Sequence, residues 1–257
     1  MAKHHHPLGI DIGGSGIKGA PVDLDAGAFA QDRLRIATPE ESTPDAVADV
    51  VARIADHFEQ HTGDSPIGVT VPAVVTRGLV RTAANIDKTW IGTDAAALLS
   101  SRLNRPVAVV NDADAAGVAE LTYGAARNVD GLVLLATLGT GIGSALLNNG
   151  RLIPNSELGH LEIDGVDAEK RASSNARDVE DLSWDEWAQR LQHYFAHVEN
   201  LLSPDLIVVG GGVSKHAEHY LPLLHLRAPI VPAQLGNSAG IVGAAWLATN
   251  ETDVGRK

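Results

Sequence analysis

The feature that most constrains the fold is an apolar segment, a glycine-rich turn and a second apolar segment, and this unit occurs twice. The first copy contains Asp-Ile-Gly-Gly-Ser-Gly-Ile-Lys at residues 11–18, and the second contains Thr-Leu-Gly-Thr-Gly-Ile-Gly at residues 137–143. Apolar runs on both sides of a short glycine-rich turn predict a β-hairpin. Two such hairpins about half a chain apart indicate two related α/β domains. Chance similarity of two hairpins is the alternative.

The first turn carries residue types that suit phosphate. Gly13, Gly14 and Gly16 lack a Cβ atom, so the backbone can turn tightly and approach a ligand closely. Successive N–H groups in such a turn form a concave anion site. Asp11 can order a hydrated Mg²⁺, and Lys18 can neutralise phosphate charge. The pattern is not a Walker loop, because a glycine follows the lysine. A glycine-rich turn without a ligand is the alternative interpretation.

Charge and residue usage exclude several classes of function. The formal net charge of −12 over 257 residues argues against nucleic acid or an anionic membrane as a partner. The chain has no cysteine, which excludes disulfides, thiolate catalysis and Cys-ligated zinc. No apolar run reaches the roughly 18 residues of a membrane span. No apolar signal segment precedes Pro7, so we expect a cytoplasmic protein.

Hydrophobic spacing predicts alternating strands and helices over the whole chain. Strands are predicted near residues 8–12, 16–24, 30–37, 67–71, 106–110, 131–138, 144–147, 151–153 and 206–209. Helices are predicted from Thr43 to Gly63, near 94–103 and 113–124, after a capping box at Ser183 and Glu186, and from about residue 237. Residues 164–181 are expected to form an exposed loop or short helix. We expect an N-terminal α/β domain at 7–112 plus a C-terminal helix at 236–250, and a C-terminal α/β domain at 113–235.

Asn111 and Asp112 follow a predicted buried strand directly. A carboxylate at the carboxyl end of a parallel strand lies at the ligand-binding edge of an α/β sheet. Asp112 can therefore act as a general base on a substrate hydroxyl, as an aspartate does in kinases. Because Asp112 also begins a helical segment, a helix N-cap is the alternative.

A second polar cluster, Glu-Leu-Gly-His-Leu-Glu at residues 157–162, contains Glu157, His160 and Glu162. A bend at Gly159 would bring these side chains together, and carboxylates that each accept two hydrogen bonds suit a polyhydroxyl ligand. A solvated loop and a metal site are the alternatives, although two Glu and one His make a poor zinc site. Asn85 offers a side-chain amide to sugar hydroxyls.

Two further features suit a phosphate chain. The Gly-Gly-Gly sequence at residues 210–212 follows a predicted strand. Because it has no side chains, a nucleotide or phosphate chain can approach its backbone closely. Five cations can line a local groove, with solvated surface charge as the alternative for each of them: Arg77, Arg81, Lys88, Arg151 and Lys215.

These motifs occur in an order that resembles the ROK family of sugar kinases. The order is Asp-Ile-Gly-Gly-Ser-Gly-Ile-Lys at 11–18, Asn-Asp at 111–112, Gly-Thr-Gly-Ile-Gly at 139–143, Glu-Leu-Gly-His at 157–160 and Gly-Gly-Gly at 210–212. The resemblance extends from about residue 8 to residue 248. Residues 81–93 and 239–245 are similar to an actinobacterial subgroup that phosphorylates glucose with polyphosphate.

The resemblance implies an actin-like (ribonuclease H-like) fold with two duplicated α/β domains around a central cleft, usually in a homodimer. It implies phosphorylation of the glucose 6-hydroxyl with Asp112 as the catalytic base, polyphosphate or ATP as the donor, and Mg²⁺ ordered by Asp11 through water. The implied glucose-binding residues are Asn85, Asn111, Asp112, Glu157, His160 and Glu162. The implied phosphate- or nucleotide-binding residues are Asp11, Gly13, Gly14, Ser15, Gly16, Lys18, Gly139, Thr140, Gly141, Gly143, Gly211 and Gly212.

One departure from the family pattern concerns zinc. Many members carry a Cys-rich zinc motif after the Gly-His pair, and this chain has no cysteine, so we expect no zinc site, as in the polyphosphate subgroup. The alternatives are an ATP-dependent kinase for glucose, mannose or an N-acetylhexosamine, a sugar-responsive repressor and an actin-like filament protein. A repressor needs a DNA-binding domain, and only residues 1–7 precede the first predicted strand. A filament protein would leave the 157–162 cluster without a purpose.

Overall fold

The computed structural model of the protein describes residues 5–84 and 86–250. The chain forms two compact units, of which the first contains the residues up to Ala119 and those from Ser238 onward, and the second contains Glu120–Asn237. Each unit has its own sheet and its own apolar core. Within the described part of the chain, no helix combines the length and the apolar character that crossing a membrane requires.

The described strands lie in both units and are numbered along the chain. They are β1 Leu8–Ile12, β2 Ile17–Asp23, β3 Ala28–Phe29, β4 Leu34–Ile36, β5 Ile67–Val71, β6 Val75–Thr76, β7 Leu79–Val80, β8 Val107–Asn111, β9 Leu132–Leu138, β10 Ile142–Asn148, β11 Arg151–Ile153, β12 Glu162–Ile163, β13 Val166–Asp167, β14 Leu206–Gly210 and β15 Ile230–Pro232.

The α-helices are α1 Pro44–Thr62, α2 Ala95–Leu103, α3 Asp112–Tyr123, α4 Glu169–Ala172, α5 Ser174–Val179, α6 Trp184–Leu202 and α7 Ala239–Asn250. Short 3₁₀ helices occur at Lys88–Trp90, Leu158–His160, Gly212–His219, Leu221–Leu223 and Gly236–Ser238.

The two main sheets have the same strand order, which confirms the duplication expected from the repeated hairpins. The first sheet runs β3-β2-β1-β5-β8 with β4 also paired to β2, and the second runs β11-β10-β9-β14-β15. In each sheet the glycine-rich turn joins an antiparallel pair, β1 with β2 and β9 with β10. The next two strands are parallel to the first strand of that pair.

Helix α1 forms where its capping signals predict it. The Thr43 side chain accepts a hydrogen bond from the Ala46 N–H at 3.4 Å, Pro44 occupies the first turn, and Gly63 ends the helix with a φ of 47°. The buried face consists of apolar residues at helical spacing, which pack into the core of the first unit. Helix α6 likewise begins at the predicted Ser183 and Glu186 capping box.

Helix α7 packs closely against the opposite face of the first sheet. A Cβ atom at Gly9 or at Gly68 would overlap with the backbone carbonyl of Ile241 or Ala244, so both strands need glycine for the helix to approach. A Cβ atom at Gly240, in the first turn of α7, would lie 3.4 Å from Oδ1 of Asp11. The first turn of α7 is thus placed beside the Asp11 carboxylate.

The boundaries between the compact units lie later in the chain than the expected domain boundaries. They fall at 119/120 instead of 112/113 and at 237/238 instead of 235/236. The first turns of α3 belong with the first unit because the backbone of Ala115 lies against Gly243 of α7, without room for a side chain. The division into folding domains stays a prediction.

One local expectation was too simple, and a second was met in part. Strand β4 covers only Leu34–Ile36, whereas we expected a strand over 30–37, because Ala28–Phe29 pairs separately with the end of β2. Residues 164–181, expected to form an exposed loop or short helix, contain two short helices, α4 and α5, together with β13. The Trp187 indole N–H lies 3.2 Å from the carbonyl oxygens of Ala172 and Ser173 and ties this segment to the core of the second unit.

Candidate active site

The first glycine-rich turn, residues 13–16, joins β1 to β2 and is held by the segment around β4. The N–H of Gly13 donates to the carbonyl of Gly16 at 3.2 Å, which closes the turn. The Thr38 hydroxyl donates to the carbonyl of Gly13 at 2.5 Å, and Nη2 of Arg35 donates to the carbonyl of Ser15 at 2.7 Å. The turn is therefore fixed by its neighbours as well as by its own backbone.

The glycines of this turn are not required by an unusual backbone conformation; at Gly16 the missing side chain leaves space for a neighbouring group. None of Gly13, Gly14 and Gly16 has a positive φ. A Cβ atom at Gly16 would lie 2.6 Å from Nε of Arg35, so the missing side chain makes room for a guanidinium of the protein itself. The phosphate contacts expected from the three glycines and Ser15 stay predictions.

Asp11, at the end of β1, is surrounded by groups that stabilise a carboxylate. The buried Thr70 hydroxyl donates to its Oδ1 at 2.8 Å, and Nζ of Lys18 lies 3.8 Å from its Oδ2. The first turn of α7 adds the positive end of a helix dipole next to the same side chain. Asp11 and Lys18 keep about a quarter of their side-chain surface accessible, 24% and 28% respectively, so both can meet a ligand.

Asn111 and Asp112 stand at the carboxyl end of β8, in the same sheet as Asp11. Oδ1 of Asn111 accepts hydrogen bonds from the N–H groups of Ala113 and Asp114 at 2.9 and 3.0 Å, and its amide donates to the carbonyl of Ala73 at 3.1 Å. The buried Asn111 side chain is therefore the N-cap of α3. One oxygen of Asp112, which is half-buried, accepts from the Ala113 N–H at 2.9 Å.

Asp112 was interpreted as either a general base or the N-cap of α3. Asn111 accepts the N–H groups of Ala113 and Asp114 in the first turn of α3, so Asp112 is not needed as the principal cap. The role of Asp112 as a catalytic base and that of Asn111 as a glucose ligand stay predictions. The geometry gives Asn111 a structural role that the sequence did not reveal, which is to position the residue that follows it.

The second glycine-rich turn, residues 139–143, lies in the second unit and joins β9 to β10. The N–H of Gly139 donates to the carbonyl of Gly141 at 3.0 Å. Oε2 of Glu169 accepts a hydrogen bond from the Ile142 N–H at 3.0 Å, and a Cβ atom at Gly141 would overlap with this carboxylate. An anionic group of the protein thus already uses one N–H of the predicted phosphate turn. The expected contacts of Gly139, Thr140, Gly141 and Gly143 with phosphate stay predictions.

His160 is at the centre of a polar cluster packed on the same hairpin. Its Nε2 lies 3.7 Å from Glu157, and its Nδ1 lies 3.1 Å from Asp167 and 3.8 Å from Glu169. Gly159 lies directly on the carbonyl of Ile142, with no space for a Cβ atom. The expected bend at this glycine is present as the 3₁₀ helix Leu158–His160. Of the three side chains expected to meet at this bend, it brings Glu157 and His160 together.

Burial and the charges of this cluster shift two pKa values. Burial raises the pKa of Glu157, and the neighbouring Glu169 adds to this while His160 opposes it. For His160, burial alone would lower the pKa, but the hydrogen bond to Asp167 and the charges of Glu169, Asp167 and Glu157 together raise it above the ordinary value of 6.5. A histidine among three carboxylates offers both donors and acceptors to the hydroxyls of a ligand.

Two carboxylates of this cluster were missed by the sequence analysis, and one expected residue makes no ion pair in it. Asp167 and Glu169 contact His160, whereas Glu162, opposite Asp167 in the β12–β13 pair, is exposed and forms no ion pair with His160 among the described residues. A glucose contact by Glu162 stays a prediction. Asn85, the remaining expected sugar ligand, lies outside the described residues. Three members of the cluster are also potential metal ligands, because the donor atoms of His160, Asp167 and Glu169 lie within 4.8 Å of one another.

The glycine triplet follows β14 directly. Gly211 has a φ of 83° and lies against the backbone of Leu138 at the start of the second turn, where a side chain would overlap. A Cβ atom at Gly212 would meet nothing within 4 Å. The triplet therefore packs at the base of the 139–143 turn, and the expected phosphate or nucleotide contacts of Gly211 and Gly212 stay predictions.

Comparison with known proteins identifies the family. The sequence profile of the ROK family matches residues 7–175 and 161–251. A polyphosphate glucokinase of Mycobacterium tuberculosis is 50% identical over 248 residues, which are 96% of this chain and 92% of that protein. A polyphosphate glucokinase of Mycobacterium leprae is 51% identical over 246 residues, which are 95% of this chain and 75% of that protein.

Solved structures are similar over nearly the same extent. The inorganic polyphosphate/ATP-glucomannokinase of Arthrobacter sp. strain KM superimposes with a TM-score of 0.93 at 54% identity, covering 96% of this chain and all (100%) of that one. A ROK glucokinase of Streptomyces griseus, solved with glucose and AMPPNP, gives a TM-score of 0.80 at 26% identity, covering 94% of this chain and 98% of that one. The fold is the duplicated, actin-like fold of sugar kinases. The chain belongs to the ROK family.

Proposed function

We propose that the protein is a phosphotransferase that moves a phosphoryl group from inorganic polyphosphate, and also from ATP, to the 6-hydroxyl of glucose. The observation that carries this proposal is the position of Glu169. One of its oxygens accepts the Ile142 N–H in the phosphate-type turn, and the other lies 3.8 Å from His160 in the hydroxyl-binding cluster. The names of relatives at 50 to 54% identity support glucose as the acceptor and polyphosphate as the donor.

The polar cluster supplies the recognition of the sugar. Glu157, Asp167 and Glu169 each present carboxylate oxygens that accept hydrogen bonds from hydroxyl groups, and His160 donates or accepts through its ring nitrogens. Because a site built to pair each hydroxyl leaves its own polar groups unpaired when a hydroxyl is missing, such a cluster selects strongly for a polyhydroxyl ligand. Glu169 adds a direct connection between sugar binding and the conformation of the turn.

Asp112 is the proposed general base. Its carboxylate takes the proton of the glucose 6-hydroxyl while the hydroxyl oxygen forms a bond to the terminal phosphorus. The phosphoanhydride P–O bond breaks, and its electron pair leaves with the bridging oxygen on a polyphosphate shortened by one unit, or on ADP. Most of the catalysis in such reactions comes from positioning and charge stabilisation. Asn111 supports the positioning, because its side chain fixes the first turn of α3.

The residues around Asp11 fit a hydrated Mg²⁺. Asp11 is an oxygen donor, as this cation requires, and a single carboxylate suits an ion that retains most of its water. The Lys18 ammonium at 3.8 Å favours contact through water over direct coordination at the same oxygen. When bound, Mg²⁺ neutralises charge on the phosphates. Lys18 and the N–H groups of the 13–16 turn contribute positive potential there.

The Arthrobacter relative also favours a wider substrate range. Its description as a polyphosphate/ATP-glucomannokinase supports ATP as a second donor and mannose as a second acceptor. A kinase restricted to ATP and a sugar-responsive regulator have less support, because the relatives at about 50% identity are polyphosphate glucokinases. We also propose a cytoplasmic homodimer, for which the resemblance to the family is the support, and which light scattering checks.

An assay that separates and quantifies the sugar phosphates by anion-exchange chromatography tests the proposal. Purified protein is given glucose, mannose or N-acetylglucosamine, each with polyphosphate or ATP in the presence of Mg²⁺. We expect glucose to be phosphorylated with both donors and N-acetylglucosamine with neither. Activity with ATP alone would overturn the polyphosphate assignment, and preference for an N-acetylhexosamine would overturn the assignment of the acceptor.

A further inference from the structure

Four polar residues form one row across the first sheet. The strand register places Thr70 of β5 opposite Asp11 of β1, Asp11 opposite Lys18 of β2, and Lys18 opposite Arg35 of β4. Residues directly opposite each other in neighbouring strands project from the same face of the sheet. The row therefore continues from the Asp11 carboxylate, past the 13–16 turn, to an arginine that the analysis of the sequence did not select.

The last two members of the row are both cations. Like charges directly opposite each other in a sheet destabilise it, so the pairing of Lys18 with Arg35 has a cost unless an anion lies between them. Lys18 is partly compensated by Asp11 at 3.8 Å. For Arg35, no carboxylate forms an ion pair within residues 5–84 and 86–250, and the residue is exposed.

The guanidinium of Arg35 is nevertheless held in one place. It donates to the carbonyl of Ser15 at 2.7 Å and lies flat against Gly16, whose Cβ position would be 2.6 to 2.7 Å from three of its atoms. A guanidinium has five N–H donors in a rigid fork that matches phosphate. The hydrogen bond to Ser15 uses one of these donors, and the exposed side remains for a ligand. An immobilised arginine loses less entropy on binding than a mobile one.

We propose that Arg35, together with Lys18, forms a phosphate subsite that binds units of a polyphosphate donor beyond those held by the 13–16 turn. This inference rests on the proposed function. In a protein of net charge −12, a polyanion needs a local cationic path, and this pair provides one at the edge of the predicted donor turn. Arg35 thereby becomes a residue that favours polyphosphate over a nucleotide as donor.

Arg35→Gln removes the charge and the fork, and Arg53→Gln is the matched control. Arg53 is an exposed arginine of the same unit on α1, the helix that packs on the other face of the sheet through contacts such as that of Ile54 with Gly19. For Arg35→Gln we expect the ratio of kcat/KM with long-chain polyphosphate to kcat/KM with ATP to fall about tenfold, the effect of one lost charge-assisted hydrogen-bonded contact. Arg53→Gln is expected to keep the wild-type ratio.

Two further variants test the geometry. Arg35→Lys keeps the charge without the fork and is expected to retain more polyphosphate affinity than Arg35→Gln. Gly16→Ala displaces the guanidinium from the turn and is expected to lower polyphosphate affinity in the wild-type background but to add little in the Arg35→Gln background. Equal thermal unfolding midpoints for Arg35→Gln and Arg53→Gln show that the comparison does not reflect loss of the fold.

Direct binding separates this inference from the proposed function. The affinity for tripolyphosphate is measured by calorimetry without glucose, for wild type, Arg35→Gln and Arg53→Gln. A loss confined to Arg35→Gln supports the subsite even if glucose is not the acceptor. Equal affinities of all three proteins, or an unchanged donor ratio in Arg35→Gln, would overturn it while the phosphorylation of glucose by polyphosphate stands.

Discussion

The carboxylate of Glu169 accepts a hydrogen bond from the backbone N–H of Ile142 at 3.0 Å. Its second oxygen lies 3.8 Å from the imidazole of His160. One side chain thus joins the glycine-rich turn of the second unit to the cluster that we propose for sugar recognition, so a change at Glu169 affects both.

Glu169→Gln tests the composition of this cluster. The amide oxygen can still accept the Ile142 N–H, but the charge beside His160 is lost, together with a hydroxyl acceptor. We expect the KM for glucose to rise at least about tenfold, as for the loss of one charge-assisted hydrogen bond. Steady-state kinetics at varied glucose measure this.

Glu162→Gln separates the cluster seen in the structure from the set of residues expected from the sequence. Glu162 lies opposite Asp167 in the β12–β13 pair, but it is exposed and forms no ion pair with His160 among the described residues. We expect a smaller rise in the KM for glucose than in Glu169→Gln. A larger effect at Glu162 than at Glu169 would contradict the cluster that the structure defines and would favour the assignment made from the sequence.

The contrast between Glu162 and Glu169 shows which site residues could be predicted from the sequence. The hairpins, α1 and the capping box of α6 were predictable because their signals are local, such as Thr43 with Pro44 or Ser183 with Glu186. Glu157 and His160 were also found, because a glycine lies between them. Glu169 was not, because its place depends on how residues 161–169 return to the hairpin.

In the first unit, too, the residues that the sequence indicates are those marked by a local signal. Asp11 and Lys18 were selected because they flank a glycine-rich turn in the sequence. Arg35 reaches that turn only through the pairing of β4 with β2, which is a contact between distant segments. The alternation of Arg35 with apolar neighbours indicated a strand. The position of Arg35 opposite Lys18 could not be read from the sequence, because it depends on how the two strands pair. The N-cap role of Asn111 likewise became visible only with the side-chain hydrogen bonds.

His160 makes stability depend on pH. Its pKa in the folded protein is raised above the ordinary value of 6.5, so the folded state binds the proton more tightly than the unfolded state. The stabilisation is therefore complete below the ordinary pKa and is lost as the pH rises through the folded pKa. We expect the loss of unfolding free energy in His160→Gln to be larger at about pH 5.5 than at about pH 8.5.

Urea unfolding of the wild type and His160→Gln at both pH values measures this difference, and His57→Gln, on the exposed surface of α1, is the control. Titration of the His160 ring by NMR gives the pKa directly. A pKa at or below 6.5, or a destabilisation that grows with pH, would contradict the assigned role of Asp167.

Glu120 is a fully buried carboxylate of α3, with no accessible surface (0%). It accepts hydrogen bonds from the N–H groups of Ala125 at 2.8 Å, Gln234 at 3.1 Å and Leu235 at 2.7 Å. Glu120→Ala removes three hydrogen bonds to part-buried N–H groups, and we expect a destabilisation of about 1 to 3 kcal/mol. Glu59→Ala, at an exposed position of α1, is expected to change the unfolding free energy by less than about 0.5 kcal/mol.

Chemical denaturation of both variants checks this expectation. Equal free energies of unfolding for Glu120→Ala and Glu59→Ala would show that the hydrogen bonds of Glu120 do not stabilise the second unit. Glu120→Gln, which keeps one acceptor oxygen, is expected to fall between the wild type and Glu120→Ala.

Asp112→Asn removes the proposed base and keeps the shape of the side chain. Because Asn111 caps α3, we expect the fold and the thermal midpoint to be retained. We expect kcat for glucose phosphorylation to fall at least about 100-fold, the usual contribution of a general base. Asp185→Asn, in the exposed first turn of α6, is the control. Activity of Asp112→Asn within tenfold of the wild type would refute the assignment of the base.

The measurement that tests the central claim most directly follows phosphorus itself. Glucose, Mg²⁺ and polyphosphate are mixed with the protein in the absence of any nucleotide, and ³¹P NMR records the phosphoanhydride, phosphomonoester and orthophosphate signals over time. We predict that one glucose 6-phosphate appears for each phosphoanhydride bond lost, without accumulation of orthophosphate. Release of orthophosphate without glucose 6-phosphate, or no reaction until ATP is added, would contradict the account.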